Sequence, residues 1–158
     1  MTFFLSERSK GRLKGVHPDL AKVVTKAIEV TKVDFGVVQG LRTEEEQKAL
    51  FEKGATQTMK SNHLKQADGY SHAVDLMAFV DGRGSWELSL FDDIADAMRA
   101  TAIVEDVHIR WGGAWTVDDI RYFAGPMEEA MNSYIDTRRS QGVRPFIDAP
   151  HFELRGYS

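Results

Sequence analysis

The chain contains no cysteine. Disulfides and thiolate metal sites are therefore excluded, and any firmly held metal must sit among His and carboxylate side chains. The compartment stays open, because a chain without thiols is stable in either redox environment. Positive charge is also in short supply: 20 Lys and Arg stand against 24 Asp and Glu, a formal net charge of −4. The basic footprint of a nucleic-acid-binding protein is missing, and net charge offers no simple attraction to an anionic envelope. No stretch approaches the roughly 18 apolar residues of a membrane span. The apolar run at the N-terminus, Phe3 to Leu5, is far shorter than a secretory h-region. These absences lead us to expect a soluble, monomeric chain, made in the cytoplasm without a signal peptide and without stable membrane association. A nucleophile turn of the G-x-S-x-G kind is missing too, which, with no Cys, disfavours a covalent hydrolase.

At 158 residues, 42% hydrophobic and 28% charged, the chain has the size and composition of one domain, residues 1–158, with a real apolar core. Residues 1–17 read as a polar lead-in in which Gly11 and Gly15 space out basic residues. Pro18 suits a first helical turn, and Leu20, Val23, Val24, Ala27 and Ile28 follow at helical spacing, predicting a helix over 18–32. D-F-G-V-V-Q at 34–39 reads as a strand. Thr43 and Glu46 form a capping box for a helix running to Lys53, with Gly54 just past its end. Residues 55–71 are rich in turn formers and read as a loop, and 73–80 reads as a strand followed by the turn signal Asp81-Gly82-Arg83-Gly84. Ser89 with Asp92 predicts a capping box for a helix to about 103. A strand at 107–111, a helix from Pro126 to Gly142 and a strand over 146–154 complete the order. Helices and short strands alternate without clean βαβ units, so the expected class is α+β, a small, largely antiparallel sheet flanked by helices.

Two segments hold most of the chemistry. S-N-H-L-K-Q-A-D-G-Y-S-H-A-V-D at 61–75 offers His63, His72 and Asp75, and D-A-P-H-F-E-L offers Asp148, His151 and Glu153. Imidazole and carboxylate are the zinc ligands left when thiols are absent, and a catalytic zinc keeps three protein ligands and an open position. Side chains alternate along a strand, so Asp75 shares a face with Ala73, Met77 and Phe79, while His72 points the other way with Val74 and Leu76. His63, arriving from a loop, is free to return to the Asp75 side. His151 and Glu153 share a face. Parity thus allows His63, Asp75 and His151 to meet on one face of the sheet without compelling it; each histidine taken alone reads equally as a surface or hydrogen-bonded residue.

The same segments carry a family resemblance. S-N-H-L…S-H-A-V-D-L with D-A-P-H-F-E-L resembles the zinc-dependent D-Ala-D-Ala carboxypeptidase and L-alanyl-D-glutamate endopeptidase family. That family's pattern is S-x-H-x-x-G-x-A-x-D, with a late carboxylate three residues before a His. Q-G-L-R-T at 39–43 is similar to its G-x-R-T segment, and R-W-G-G-A-W at 110–115 to its W-G-G-x-W. The four segments fall in the right order across 39–154. The resemblance implies a Zn²⁺ held by His63, Asp75 and His151, Asp148 as general base, and bacterial peptidoglycan stem peptides as substrate. It also implies a phage endolysin that waits in the host cytoplasm for a holin to open the membrane. Two features depart from the pattern. His63 precedes Asp75 by twelve residues where the pattern has seven, with Asp68 at the seven-residue position and Ser71 where Gly is usual; this reads as a loop insertion. The connection from Trp115 to Asp148 is long enough for a helix, which either shapes a groove or only packs.

Other residues keep two readings each. Arg42, just before a helix, is either a structural arginine or a fixed charge for a substrate carboxylate or developing oxyanion. Trp111 and Trp115 are either core or the lining of a substrate groove. Glu153 either orients His151 or makes a surface ion pair. Two other functions remain in play: a D,D-carboxypeptidase or dipeptidase acting on D-Ala-D-Ala termini, and a non-catalytic wall-binding module. His17 and His108 carry no motif.

Overall fold

The computed structural model describes residues 2–56 and 58–157. Its helices are α1 (Glu7–Arg12), α2 (Pro18–Val30), α3 (Glu44–Glu52), α4 (Leu88–Glu105) and α5 (Met127–Ser140), and its strands are β1 (Asp34–Gln39), β2 (Ala73–Val80), β3 (Arg83–Ser85), β4 (Ile109–Trp111) and β5 (His151–Leu154). The strands form one sheet in the order β1-β2-β5-β4, with β3 added beside β2, and every pairing is antiparallel. This is the α+β architecture expected from the sequence.

Alternation along β2 decides where the core and the chemistry lie. Val74, Leu76 and Ala78 are fully buried and pack with Leu20, Val24, Ile94 and Met98 from α2 and α4. Burying each of the larger side chains among these contributes about 1.5–3 kcal/mol. Asp75, Met77 and Phe79 face the other way and are only partly covered. The sheet therefore has a closed apolar face and a chemical face.

Local signals account for most boundaries. Pro18 opens α2, and His17, unassigned from sequence, caps it: its Nδ1 accepts the Asp19 N–H at 3.1 Å. Thr43 and Glu46 form the full capping box of α3, and Gly54 takes the left-handed φ of +74° just beyond it. Asp81 and Gly82 both have positive φ, 51° and 77°, the two-residue hairpin turn that joins β2 to β3.

The structure departs from expectation at the polar lead-in, at the starts of two strands and at the cap of α4. The polar lead-in contains α1, capped by Ser6. It covers the free edge of β1: the Ser9 hydroxyl accepts Val37 N–H at 2.9 Å and Arg12 Nη1 donates to Val37 O at 3.0 Å. An uncovered edge would be an invitation to aggregate. The expected strand at 107–111 begins at Ile109, and the one at 146–154 begins only at His151, because Pro145 and Pro150 interrupt the ladder. The 116–147 segment holds a 3₁₀ turn, Ile120–Tyr122, and α5. Arg99 fastens that turn through the carbonyls of Ile120 and Phe123, and Asp96 caps α5 through Met127 N–H at 2.8 Å. Finally, Ser89 and Asp92 do not cap α4. The helix starts two residues earlier, with Glu87 at its cap and no side-chain cap bond.

Asp92 is instead buried. Burial, with Asp93, Glu128 and Asp96 nearby, pushes its carboxyl up to about 6. Folding thus favours the protonated form. The penalty is absent below the unfolded value of 3.8 and fully present above about 6. Asp92→Asn should therefore stabilise the fold at about pH 7.5, by on the order of 1–2 kcal/mol and with a higher melting temperature, and leave stability unchanged near pH 3.5. Thermal denaturation at the two pH values checks this; equal effects at both would refute it.

Candidate active site

The site grows from one cross-strand pair. Antiparallel pairing of β2 with β5 sets Asp75 directly opposite His151, where side chains stand about 4.5–5.5 Å apart at Cβ. His151 Nδ1 lies 3.2 Å from Asp75 Oδ1, and His151 Nε2 lies 2.8 Å from Glu153 Oε1. One imidazole is thereby held between two carboxylates. Burial alone would lower its pKa, but Asp75 and Glu153 outweigh burial and push it up to about 9.

The third member comes from the loop, as the sequence-based alignment expects. His63 is buried, with Nε2 3.2 Å from Asp75 Oδ2 and Nδ1 2.9 Å from the Gly40 carbonyl. That contact makes Nδ1 a protonated nitrogen and aims Nε2 at Asp75. Arg42 N–H in turn donates to His63 O at 2.8 Å, so the G-L-R segment is zipped to the S-N-H segment. Gly40 is required there, because a Cβ would overlap the Arg12 carbonyl. One ligand atom from each of His63, Asp75 and His151 lies within 4.8 Å of the others. Burial resists ionisation of Asp75, yet hydrogen bonds from His151 and His63 hold its carboxyl well below the usual range.

The twelve-residue spacing is absorbed locally. Gln66 Nε2 donates back to the carbonyls of Ser61 and Leu64, and Gly69, at φ +89°, turns the chain. Asp68, which stands at the pattern's usual ligand position, bonds His72 Nε2 at 2.7 Å and lies 3.7 Å from His17 Nε2. His72 thus points to the far side of β2, as strand parity requires.

Asp148 approaches from a turn. His151 N–H closes onto Asp148 O at 3.0 Å, with Pro150 inside the turn, and Asp148 N–H donates to Gly112 O at 2.9 Å. A Cβ on Gly112 would strike the Asp148 carbonyl, which is what the first glycine of W-G-G-x-W secures. Burial raises the Asp148 carboxyl above its ordinary value; Asp75 adds to this, while His151, His63 and Arg42 oppose it. Arg42 Nη1 donates to Gln47 Oε1 at 2.7 Å, and Nη2 lies 4.0 Å from Asp75 Oδ2; its buried Nε has no partner among the described residues. Glu153 is buried, but bonds to His151 and Asn62 hold its carboxyl below the usual value.

The two tryptophans part company. Trp111 is fully buried, stacked near Phe152 with Nε1 bonded to Ala149 O at 2.7 Å. The groove-lining expectation fails for it, because strand parity turns its indole into the core. Trp115 does reach the site, its ring 5.6 Å from that of His151 and stacked on Phe146.

Sequence reasoning missed Gln47 and Phe146. Gln47 is fully buried, its amide bridging Arg42 and Thr58 O; a polar residue on a short polar helix gives no sign of that. Phe146 is 67% exposed beside Trp115, and its carbonyl accepts the Tyr134 hydroxyl at 2.7 Å. The two prolines near it were the available signal that it stands outside a ladder.

With this geometry in hand, the likenesses to known proteins fall into place. The family described as phage L-alanyl-D-glutamate peptidase matches residues 1–155. The L-alanyl-D-glutamate peptidase of Escherichia phage T5 is 27% identical over 116 residues, spanning 73% of this chain and 83% of that protein. The crystal structure of the Serratia marcescens L-Ala D-Glu endopeptidase ChiX covers 98% of this chain and 91% of its own, with a TM-score of 0.70 and 30% identity. The chain belongs to the phage L-alanyl-D-glutamate peptidase family.

Proposed function

We propose that this protein is a zinc peptidase that hydrolyses the L-alanyl-D-glutamate bond of bacterial peptidoglycan during phage lysis. One observation carries the reading: His63, Asp75 and His151 each bring a ligand atom within 4.8 Å of the others, on a face that also holds Asp148 and Arg42. The donor set fits zinc. Two imidazoles and one carboxylate form a three-ligand set of the kind that leaves a coordination position open.

His63 would bind through Nε2, fixed by its Nδ1–H bond to Gly40 O. His151 would bind through Nδ1, fixed by the Nε2–H bond to Glu153. When bound, the ion supplies Lewis-acid polarisation of the scissile carbonyl and lowers the pKa of water. Asp148 takes the proton from the attacking water and passes it to the leaving amine. Its burial, which raises its pKa, makes it a stronger base. Arg42, oriented by Gln47, offers a fixed positive charge to the oxygen on which negative charge develops, or to the glutamate carboxylate. Trp115 forms one wall of the cleft beside His151.

The alternatives receive less support. The family and both relatives carry the L-alanyl-D-glutamate specificity in their names, not D-Ala-D-Ala. A purely structural zinc site closes with four protein ligands. Here three donors converge among the described residues, and Glu153 is engaged on the far nitrogen of His151. Among the described residues no helix is long and apolar enough to cross a membrane. We read access to the wall as dependent on a membrane opening made by a holin.

Chelation should abolish lysis of purified sacculi, zinc should restore it, and mass spectrometry should find fragments with a new N-terminal D-Glu. Unchanged lysis by protein shown to be metal-free, or a different new terminus, would sink the reading.

Metal content of two variants tests the ligand set. His63→Ala should lose zinc and His72→Ala should keep it, measured by elemental analysis; the reverse result would overturn the assignment of His63.

Asp148→Asn is nearly isosteric but cannot accept a proton. Folding and zinc content should survive while kcat falls by roughly a hundredfold or more. Loss of zinc would make Asp148 a ligand instead, and near-normal turnover would pass the base role to Glu153.

A further inference from the structure

The wall of the cleft beside His151 is aromatic and continues past the metal-binding cluster. Trp115 stands against His151 with ring centroids 5.6 Å apart, and Phe146 stacks on Trp115 at 6.3 Å with the ring planes 13° apart. Trp115 is half-buried, whereas most of Phe146 is exposed. Both rings are fixed in place. Arg110 donates through Nε and Nη2 to the Trp115 carbonyl and lays its guanidinium 4.9 Å from the indole centre. The Tyr134 hydroxyl holds the Phe146 carbonyl at 2.7 Å, and Asp148 N–H, two residues on, holds Gly112 O. Pro145 restricts the backbone just before. An exposed phenyl ring on a loose loop is ordinary. One held rigidly, a single ring away from His151, is a preformed surface at the mouth of the site.

The two flanks of the cluster differ in charge. Arg42 Nη2 approaches Asp75 Oδ2, the oxygen that faces His63. His151 meets the other oxygen, Oδ1, and has Trp115 beside it. One flank therefore offers a guanidinium and the other offers aromatic rings. Arg110 does not make the aromatic flank basic, because it is committed to the Trp115 carbonyl and stands near the Glu153 carboxylate. Among the described residues, two buried side-chain donors lack a partner, Arg42 Nε and Trp115 Nε1. There is one on each flank, and orphaned donors of this kind mark where a bound group or an ordered water completes a site.

We propose that Trp115 and Phe146 form the subsite for the N-acetylmuramyl sugar on the amino side of the scissile bond, with Phe146 as the residue that makes the enzyme prefer sugar-bearing peptides. The inference rests on the function proposed above. An L-alanyl-D-glutamate bond in the wall joins unlike halves. The D-glutamate half carries carboxylate and suits the Arg42 flank. On the other half, L-alanine is linked by an amide to the lactyl group of the sugar, and neither carries charge. A pyranose ring turns C–H groups toward its faces, and these pack on the electron-rich face of an aromatic ring. Alanine and the lactyl group together are about two residues long, so the sugar begins about 7 Å from the scissile carbonyl. Its binding surface must then lie beyond the side chain that touches His151, and Phe146 supplies the next ring.

The test uses the zinc-loaded protein and two synthetic substrates with the same L-Ala–D-Glu stem peptide. One carries N-acetylmuramic acid on the alanine nitrogen, and the other carries the lactyl group alone. The parent should show a KM about tenfold lower for the muramyl peptide. Phe146→Ala should erase that preference by raising KM for the muramyl peptide, with little change in kcat, and Phe146→Tyr should keep most of it. The exposed ring makes the alanine variant safe for folding, since the bond from Tyr134 goes to the backbone carbonyl. Phe4→Ala, which removes an equally exposed ring from the N-terminal segment, should leave the preference intact. Equal KM values in the parent, or a Phe146→Ala protein that keeps the preference, would overturn the subsite. If Phe146→Ala raises KM equally for both substrates, the rings bind the peptide and the sugar assignment is wrong. If the parent cuts neither substrate, the proposed function falls and this inference with it; if it cuts both equally well, this inference falls alone.

Discussion

The register between β2 and β5 is the constraint on which the rest of the site depends. Asp75 and His151 are 76 residues apart in sequence, yet they meet because Ala73, Val74 and Asp75 pair with Glu153, Phe152 and His151. A slip of one residue would turn both side chains into the apolar layer and bring Val74 and Phe152 out. The buried faces of those two residues, fully covered beneath the strands, therefore fix the polar pair above them. Core packing and ligand placement are two consequences of one pairing.

Backbone contacts then bring the remaining groups to that pair. Gly40 and Gly112 act alike: each lets another stretch of backbone approach where a side chain would not fit. Gly40 admits the end of α1 on one side and accepts the His63 ring on the other. Gly112 clasps the turn that carries Asp148 and His151 through two backbone bonds, of 2.9 and 2.8 Å. The α5 segment extends this clasp, since Tyr134 holds the Phe146 carbonyl and Phe146 stacks on Trp115. The long connection before Asp148 thus packs against Trp115, the residue whose ring lies beside His151.

What was legible in the sequence follows from the range of each interaction. The period of a strand is strict, so the opposite orientations of Asp75 and His72 could be read directly, and so could the capping box of α3 and the Asp-Gly hairpin turn. His63 was legible only through the family pattern, because the extra residues between it and Asp75 close on themselves through Gln66 and Asp68 and leave no periodic trace. α1 was missed because six residues with two basic side chains in the last turn show little apolar rhythm; what holds the helix is its contact with the edge of β1, which is tertiary. The Ser89–Asp92 signal misled for the converse reason. The local pattern was present, but apolar contacts of Leu90 and Phe91 set where α4 begins, and Asp92 was buried at a cost. Trp111 and Trp115 look alike as a motif, and only the strand phase of one and the turn position of the other separate core from cleft.

Charge balance at the site argues for the kind of ligand it takes. Asp75 resists the ionisation of Asp148, while Arg42 favours it. Glu153 is balanced separately, by Arg110 and, at 3.9 Å, Arg155. With neutral imidazoles, the two aspartates and the arginine leave one negative charge in excess in a partly dehydrated place, which is unfavourable without a counterion. Protonating His151 relieves it in the free protein, and the upward push on that histidine is the sign of the same imbalance. A divalent cation held by the same three side chains would supply that counterion in place of the proton, so the imbalance is a physical reason for this cluster to take a cation and not an anion.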